Sequence, residues 1–220
     1  FINQIKDFNP NVVFNALHGR YGEDGYIQTI LENEKIKYTH SGVRSSSIAI
    51  DKDVSKKIFI KNNILTPPYI NFEFKNSNLD IKLVKKIKKK LKFPVVIKPF
   101  NEGSSVEVYI CSEKNFLKKL KKLEDYREVL IEKYIPGREI QVAILGQKKL
   151  GAIELKPKRK FYDYRAKYDK DAQTLHIIPV KINNKKLNEV LNIAKKAHKI
   201  IGCRGVTRSD FKFYRNKFYL

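Results

Sequence analysis

A short apolar strand that ends in a lysine and leads into a serine-containing loop is the feature that most constrains this chain. Residues 93–108 read FPVVIKPFNEGSSVEV, and the β-branched run Val95–Ile97 predicts a buried strand. Pro99 closes that strand, because proline lacks the N–H that a sheet requires. Lys98 would then lie beside a loop of backbone N–H groups and hydroxyls, an arrangement that suits phosphate. A lysine that extends from the strand end into solvent, followed by an ordinary surface loop, explains the pattern equally well.

Composition predicts a globular protein of one large domain or two to three small ones. The chain has 220 residues, of which 42% are hydrophobic, enough to build a core. No apolar run approaches the roughly 20 residues that cross a bilayer, so we predict no membrane partner. Cys111 and Cys203 lack a metal-ligand spacing and fit free thiols in a cytoplasmic protein. Because the chain starts at Phe1, contains no methionine and stops at Leu220 inside the apolar run KFYL, we expect both ends to be cut.

The net charge of +23 would ordinarily suggest nucleic acid or acidic lipid as a partner. Much of the excess lies in residues 82–92 and 114–123, where lysines surround an apolar stripe. That pattern predicts helices that face a core on one side and solvent on the other. We therefore predict no nucleic-acid partner. A basic nucleic-acid-binding protein stays as an alternative, which steeply salt-dependent duplex binding without ATP affinity would favour.

The first forty residues predict a strand, a glycine-rich loop and a helix, at 11–17, 18–25 and 26–35. This order places ligands at the carboxyl end of a parallel sheet. His18, at the end of the predicted strand, is a candidate ligand contact or a structural histidine. The acidic pair Glu23-Asp24 precedes a helix, where the helix dipole favours negative charge, so we predict capping rather than catalysis for it.

Two further strands are predicted on either side of the turn at Pro136-Gly137. In the second strand, 138–145, period-two alternation puts Ile140, Val142 and Ile144 on one face and Glu139 on the other. A glutamate that points away from a buried sheet can accept hydrogen bonds from a ribose diol, and the backbone of the preceding residues could contact adenine. These residues are Glu132, Lys133, Tyr134 and Ile135. An exposed glutamate on an amphipathic strand is the alternative.

The last predicted strand, 205–213, carries Arg208 and Asp210 on one face, about 6–7 Å apart along the strand. A carboxylate that holds Mg²⁺ beside a guanidinium that neutralises developing charge would suit phosphate chemistry. A structural ion pair on one face is the alternative. Residues 161–168 interleave tyrosines and lysines, which fits a lid over a small ligand or a surface that stacks on bases.

Five stretches of the sequence occur in the order found in one known family. They are HGRYGEDG at 18–25, the pair Asp51-Lys52, KPFNEGSS at 98–105, YDYRAKY at 162–168 and RSDF at 208–211. The ordered set resembles the D-alanine–D-alanine ligases of the ATP-grasp superfamily. The resemblance implies an α/β (α+β) ATP-grasp fold with a remnant of an N-terminal Rossmann-like domain. It divides the chain into a partial N-terminal domain at 1–50, a central subdomain at 51–134 and an incomplete ATP-binding subdomain at 135–220.

The resemblance also implies an activity and a set of site residues. Two D-alanine molecules are joined with ATP through an acyl phosphate, for peptidoglycan precursor synthesis, by a cytoplasmic homodimer that uses Mg²⁺ or Mn²⁺. ATP binding would involve Lys52, Lys98, Ser105, Glu132, Lys133, Tyr134, Ile135 and Glu139. Catalysis would involve Arg208, Ser104, Tyr168 and Lys167, substrate binding His18, and metal binding Asp210.

Some family features are absent or altered. Glu107 stands where glycine is usual, and Arg165 replaces an acidic residue. The remaining metal ligands would follow Leu220, so we expect the chain to be inactive alone. A ligase that joins D-alanine to D-lactate is the alternative within the superfamily, and a substrate screen would distinguish the two.

Overall fold

The computed structural model describes residues 2–74, 79–103, 107–157 and 174–220. The predicted site residues Ser104, Ser105, Lys167 and Tyr168, and Arg165 of the predicted lid, lie outside these ranges. In chain order the described elements are α1 (Ile2–Phe8), α2 (Tyr26–Asn33), α3 (Val43–Ile50), α4 (Lys52–Lys61), β1 (Tyr69–Glu73), α5 (Ile81–Lys90), β2 (Val95–Pro99), β3 (Tyr109–Cys111), α6 (Phe116–Lys121), β4 (Glu128–Lys133), β5 (Arg138–Leu145), β6 (Lys148–Lys156), β7 (Leu175–Ile177), α7 (Asn184–Ile201), β8 (Val206–Tyr214) and β9 (Lys217–Tyr219).

The first sheet is antiparallel and has the strand order β1-β4-β2-β3. Alternation along β2 and β4 gives it two different sides. Val95, Ile97 and Ile131 join the apolar faces of α5 and α6 in a buried core. Lys98 and Glu132 therefore point to the opposite side. The predicted strand before Lys98 is confirmed, and Pro99 is its last residue.

The second sheet, also antiparallel, has the order β7-β6-β5-β8-β9. Its core side is formed by the predicted apolar face of β5 packed against α7, with Ile140, Val142, Ile144, Val190 and Ala194 fully buried. On the other side, β5 and β8 are in register so that Glu139 is opposite Lys212 and Gln141 opposite Asp210. The predicted shared face of Arg208 and Asp210 is confirmed.

The two lysine-rich segments form α5 and α6, and each buries an apolar face. In α5, Leu83 and Ile87 are buried while the lysines of the last turn are exposed. This arrangement confirms the prediction of core-facing helices with solvated outer faces. Within the described ranges, no helix is both long enough and apolar enough to cross a membrane.

The predicted buried strand at residues 11–17 is wrong. The segment makes one isolated parallel bridge, between Val13 and Tyr38, and Phe14 is 72% exposed. A strand persists only where neighbouring strands satisfy its backbone and cover its side chains. The described residues offer this segment one bridging partner, so the apolar sequence does not become a strand. The helix predicted after the glycine loop is confirmed as α2.

Candidate active site

One cleft of about 540 Å³ lies between the two sheets, on the sides that face away from their cores, and is also lined by α4. It gathers residues that are far apart in the chain, from Ala49 to Leu220. The predicted site residues that line it are Lys52, Lys98, Glu132, Lys133, Tyr134, Ile135, Glu139, Arg208 and Asp210. Positive and negative side chains from both sheets thus converge on one space large enough for a small ligand.

His18 does not line this cleft, and its side chain is exposed. The loop that carries it nevertheless lies against the start of the serine-containing loop. A Cβ atom added to Gly103 would lie 2.8 Å from the Cα of Gly19, a separation that real Cβ atoms do not show. Glycine is therefore required where the two loops meet. Glu23 accepts a hydrogen bond from the Gly19 N–H, so it has a local structural role in the same loop.

Lys52 is positioned by the cap of its helix. Asp51 accepts hydrogen bonds from the N–H groups of Asp53 and Val54, which places Lys52 in the first turn of α4. The Lys52 ammonium donates to the carbonyls of Phe100, at 3.0 Å, and Glu102, at 2.5 Å. Burial, reinforced by the charge of Lys98, lowers the pKa of Lys52 to about 8. Lys52 therefore links α4 to the loop that begins after β2.

A buried carboxylate holds two lysines at the centre of the cleft wall. Val96 is opposite Glu132 in the β2–β4 register, so Lys98 is the diagonal neighbour of Glu132. The Lys98 Nζ lies 2.6 Å from Glu132 Oε1, and the Lys56 Nζ lies 3.1 Å from Oε2. Burial alone would raise the pKa of Glu132, but the charges of Lys98 and Lys56 outweigh burial and lower it. Glu132 is therefore an ionised counter-ion shared by two ammonium groups.

Sequence reasoning assigned Glu132 only a backbone role and missed Lys56 altogether. Lys56 lies one helical turn after Lys52, on the same face of α4, and this spacing is the signal that could have indicated it. Its ammonium also donates to the Pro67 carbonyl, at 3.2 Å, and lies 5.2 Å from the centre of the Tyr69 ring. Desolvation on burial lowers the pKa of Lys56.

Residues 134–137 connect the first sheet to the second, and Tyr134 and Ile135 of this connection line the cleft. The Tyr134 N–H donates to the carbonyl of Pro94 at 3.2 Å, which fixes the start of the connection. Gly137 adopts φ +134°, and a Cβ there would lie 2.4 Å from the carbonyl oxygen of Phe213. The predicted turn therefore needs glycine, both for its backbone conformation and for its close approach to β8.

The opposite wall carries two ion pairs that run along and across strands. Arg208 Nε and Nη2 contact Asp210 Oδ1 and Oδ2 at 2.8 and 3.1 Å, a bidentate pair whose side chains are about half exposed. Lys212 Nζ lies 2.5 Å from Glu139 Oε1, a partnership that sequence reasoning did not identify. The predicted same-face ion pair is therefore present, and both of its members line the cleft.

The carboxylates in the described ranges do not amount to a complete metal site. No group of three or more His, Cys, Asp or Glu side chains there could hold an ion. Asp210 supplies one carboxylate, and it is bonded to Arg208. Mg²⁺ in phosphate-transfer sites is usually held by one or two carboxylates together with water and substrate phosphates. Asp210 is therefore at most one of several ligands.

Comparisons with known proteins show which family this chain resembles. A family model described as "D-ala D-ala ligase C-terminus" matches residues 58–220. The D-alanine–D-alanine ligase of Pelagibacter ubique is 65% identical over 216 residues, which cover 98% of this chain and 70% of that protein. The same enzyme of Wolbachia pipientis wMel is 44% identical, over 96% of this chain and 65% of the relative. The chain thus spans about two thirds of the length of these relatives.

Solved structures of D-alanine–D-alanine ligases are also similar to this chain. The crystal structure of D-alanine–D-alanine ligase from Bacillus anthracis matches with a TM-score of 0.83 at 33% identity, over 99% of this chain and 70% of that one. The same enzyme complexed with ATP matches with a TM-score of 0.80 at 29% identity, over 99% and 68%. The ordered motifs, the two-sheet cleft and these matches lead to one conclusion: the chain belongs to the D-alanine–D-alanine ligase family and has its ATP-grasp fold.

Proposed function

We propose that this chain contributes the nucleotide-binding and acyl-activating part of an ATP-dependent ligase that joins two D-alanine molecules for peptidoglycan precursor synthesis. The observation that carries the proposal is the convergence of Lys52, Lys98, Glu139, Arg208 and Asp210 on one cleft. The D-alanine–D-alanine ligase names of the relatives and the ATP complex of a matching structure support the choice of substrates.

ATP would lie across the connection between the sheets. The backbone of Glu132, Lys133, Tyr134 and Ile135 would contact adenine. The Glu139 carboxylate, already paired with Lys212, would accept hydrogen bonds from the ribose hydroxyls. Lys52 and Lys98 would then meet the phosphates, with Ser105 covering the phosphate that is transferred.

The reaction would proceed by positioning and by charge stabilisation. A carboxylate oxygen of the first D-alanine attacks the γ-phosphorus, and the bond to ADP breaks. The uncharged amine of the second D-alanine then attacks the acyl carbon, and phosphate leaves with the electrons of the C–O bond and takes up the proton that the amine loses. Lys98 and Lys167 would balance charge in the first step, and Arg208 would stabilise the tetrahedral oxyanion in the second.

The remaining site residues would align the substrates. Ser104 and Tyr168 would be hydrogen-bonded to each other on the substrate side, and His18 would contact the first D-alanine. A Mg²⁺ or Mn²⁺ ion, when bound, would neutralise phosphate charge, and Asp210 is the described residue of this chain that would help to hold it. No protein nucleophile is needed, because the phosphate itself activates the carboxylate.

Replacement of Lys98 tests the proposal directly. We expect Lys98→Ala to weaken ATP binding by at least about tenfold, because it removes a charge-assisted contact to phosphate, and to abolish D-alanine-dependent ADP release in the protein as it exists in the cell. Calorimetry and a coupled ADP assay measure the two effects. Lys88→Ala, on the exposed face of α5 where Lys88 pairs with Glu113, is the matched control. Unchanged ATP affinity and turnover in Lys98→Ala would contradict the assignment.

The homodimeric state and the cytoplasmic location rest on the family resemblance. Light scattering coupled to size-exclusion chromatography would measure the mass in solution. A monomer at micromolar concentration would contradict the homodimer and would leave the proposed reaction unaffected.

A further inference from the structure

The charges around Glu132 do not sum to zero. Two ammonium groups, Lys56 and Lys98, share one carboxylate, so the cluster carries a net charge of +1. A simple Lys98–Glu132 pair would be neutral and would offer a phosphate no net attraction. Lys56 therefore gives the cluster a positive charge that Lys98 can offer to a phosphate.

The two lysines differ in their freedom to leave the carboxylate. Lys56 is buried, with a side chain 7% exposed, and it is held by the Pro67 carbonyl and the Tyr69 ring as well as by Glu132. Lys98 is more exposed, at 19%, and its contact among the described residues is to Glu132. When an anion enters the cleft, Lys98 can turn towards it, whereas Lys56 stays in place.

We propose that Lys56 is a positioning residue that serves as the permanent counter-ion of Glu132, so that the charge of Lys98 is available to the nucleotide phosphates. This inference rests on the proposed function, since it assumes that ATP binds in this cleft. Lys56 acts through Glu132 and Lys98 and does not itself touch the nucleotide. A buried carboxylate left without any partner is strongly unfavourable, so Lys98 could not leave Glu132 at low cost if Lys56 were absent.

The proposal predicts that ATP affinity follows the net charge of the cluster. Lys56→Met brings the charge to zero and leaves Lys98 tied to Glu132, so we expect ATP affinity to fall by at least about tenfold. The double variant Lys56→Met/Glu132→Gln restores the charge to +1, and we expect its ATP affinity to return to within about threefold of the wild type. A merely structural role for Lys56 predicts the opposite, namely that the second substitution adds to the loss.

The matched control is the neighbouring lysine on the same helix. Lys57→Met removes the same charge, but the Lys57 side chain is 66% exposed and pairs with Asp53. We expect its ATP affinity to stay within about twofold of the wild type. Adenosine, which has no phosphate, should bind the wild type and Lys56→Met equally. Calorimetric titration of the protein as it exists in the cell, with ATP and with adenosine, measures all of these affinities, and circular dichroism verifies that each variant is folded.

The outcomes distinguish a failure of the proposed function from a failure of the counter-ion role of Lys56. If the wild type does not bind ATP, the proposed function and the counter-ion role are overturned together. If the wild type binds ATP and Lys56→Met binds it equally well, or the folded double variant fails to recover, the counter-ion role alone is overturned. Equal losses for ATP and adenosine in Lys56→Met would likewise assign Lys56 to general packing of the cleft.

Discussion

The two walls of the cleft hold their charges in opposite ways. On the first wall, Glu132 is enclosed between Lys56 and Lys98, and the three side chains are between 7% and 19% exposed. On the second wall, the Arg208–Asp210 pair is about half exposed. Removal of one partner from a buried pair leaves an uncompensated charge in a poorly solvated place, whereas water replaces a lost partner at an exposed pair.

This difference matches the role that we propose for each wall. Phosphates that bind before the reaction benefit from a positive charge that is in place beforehand, and the fixed Lys56–Glu132 pair leaves such a charge on Lys98. An oxyanion that forms only during the reaction needs a guanidinium that can change partners. Because the pairing of Arg208 with Asp210 is solvated, Arg208 can turn to a new anion at small cost. The Lys56–Glu132 pair of the buried wall is therefore fixed, and the Arg208–Asp210 pair of the exposed wall is adaptable.

The largest loss of stability is expected when the buried wall loses its shared carboxylate. Glu132→Gln leaves two ammonium groups without a counter-ion, and we expect it to lower the free energy of unfolding by about 3–5 kcal/mol. Urea denaturation followed by circular dichroism measures the change. Glu128→Gln, at the exposed start of the same strand, should change stability by no more than about 0.5 kcal/mol. Equal losses in the two variants would show that the cluster does not depend on Glu132.

The buried wall also shows where sequence reasoning stops. Alternation in β5 and β8 predicted which residues share a face, because period two is a local property of a strand. The contact between Lys56 and Glu132 depends on how α4 docks against the first sheet, and the Lys98–Glu132 contact depends on the β2–β4 register. Neither can be inferred from spacing along the chain. Lys212 was missed for the same reason, since its partner Glu139 is defined by the β5–β8 register.

The failure at residues 11–17 has a related cause. Their apolar composition satisfies the local criteria for a strand, but a strand also needs neighbours that bond to it. The described residues provide one bridge, at Tyr38. The family motifs implied that Lys52, Lys98 and Asp210 share one site, which local patterns could not do. The order of the motifs carries information on the long-range arrangement of the fold, and all three residues line one cleft.

An intermediate effect, on ATP affinity, is expected from titration of Lys52, which lies beside Lys98 of the buried wall. Because its pKa is lowered to about 8 by burial and by Lys98, Lys52 loses its proton as the pH rises through that value. We expect ATP affinity to fall up to about tenfold between pH 7 and pH 9, since roughly one tenth of the lysine stays charged one unit above its pKa. Calorimetry across this range measures the decline. Lys52→Arg keeps its charge and should remove most of the pH dependence, so an identical slope in that variant would exclude Lys52 as the titrating group.

The smallest effect is expected at the exposed wall. Asp210→Asn separates a bidentate pair, yet both partners are solvated, so we expect the free energy of unfolding to change by no more than about 1 kcal/mol. Urea denaturation at low ionic strength and at about 1 M salt measures the change, and salt should reduce it further because exposed charges are screened within a few ångströms. The loss caused by Glu132→Gln should persist in salt, because buried charges are screened much less. A loss at Asp210 as large and as insensitive to salt as that at Glu132 would mean that the second wall is as rigid as the first, and Arg208 could then not exchange partners cheaply during the reaction.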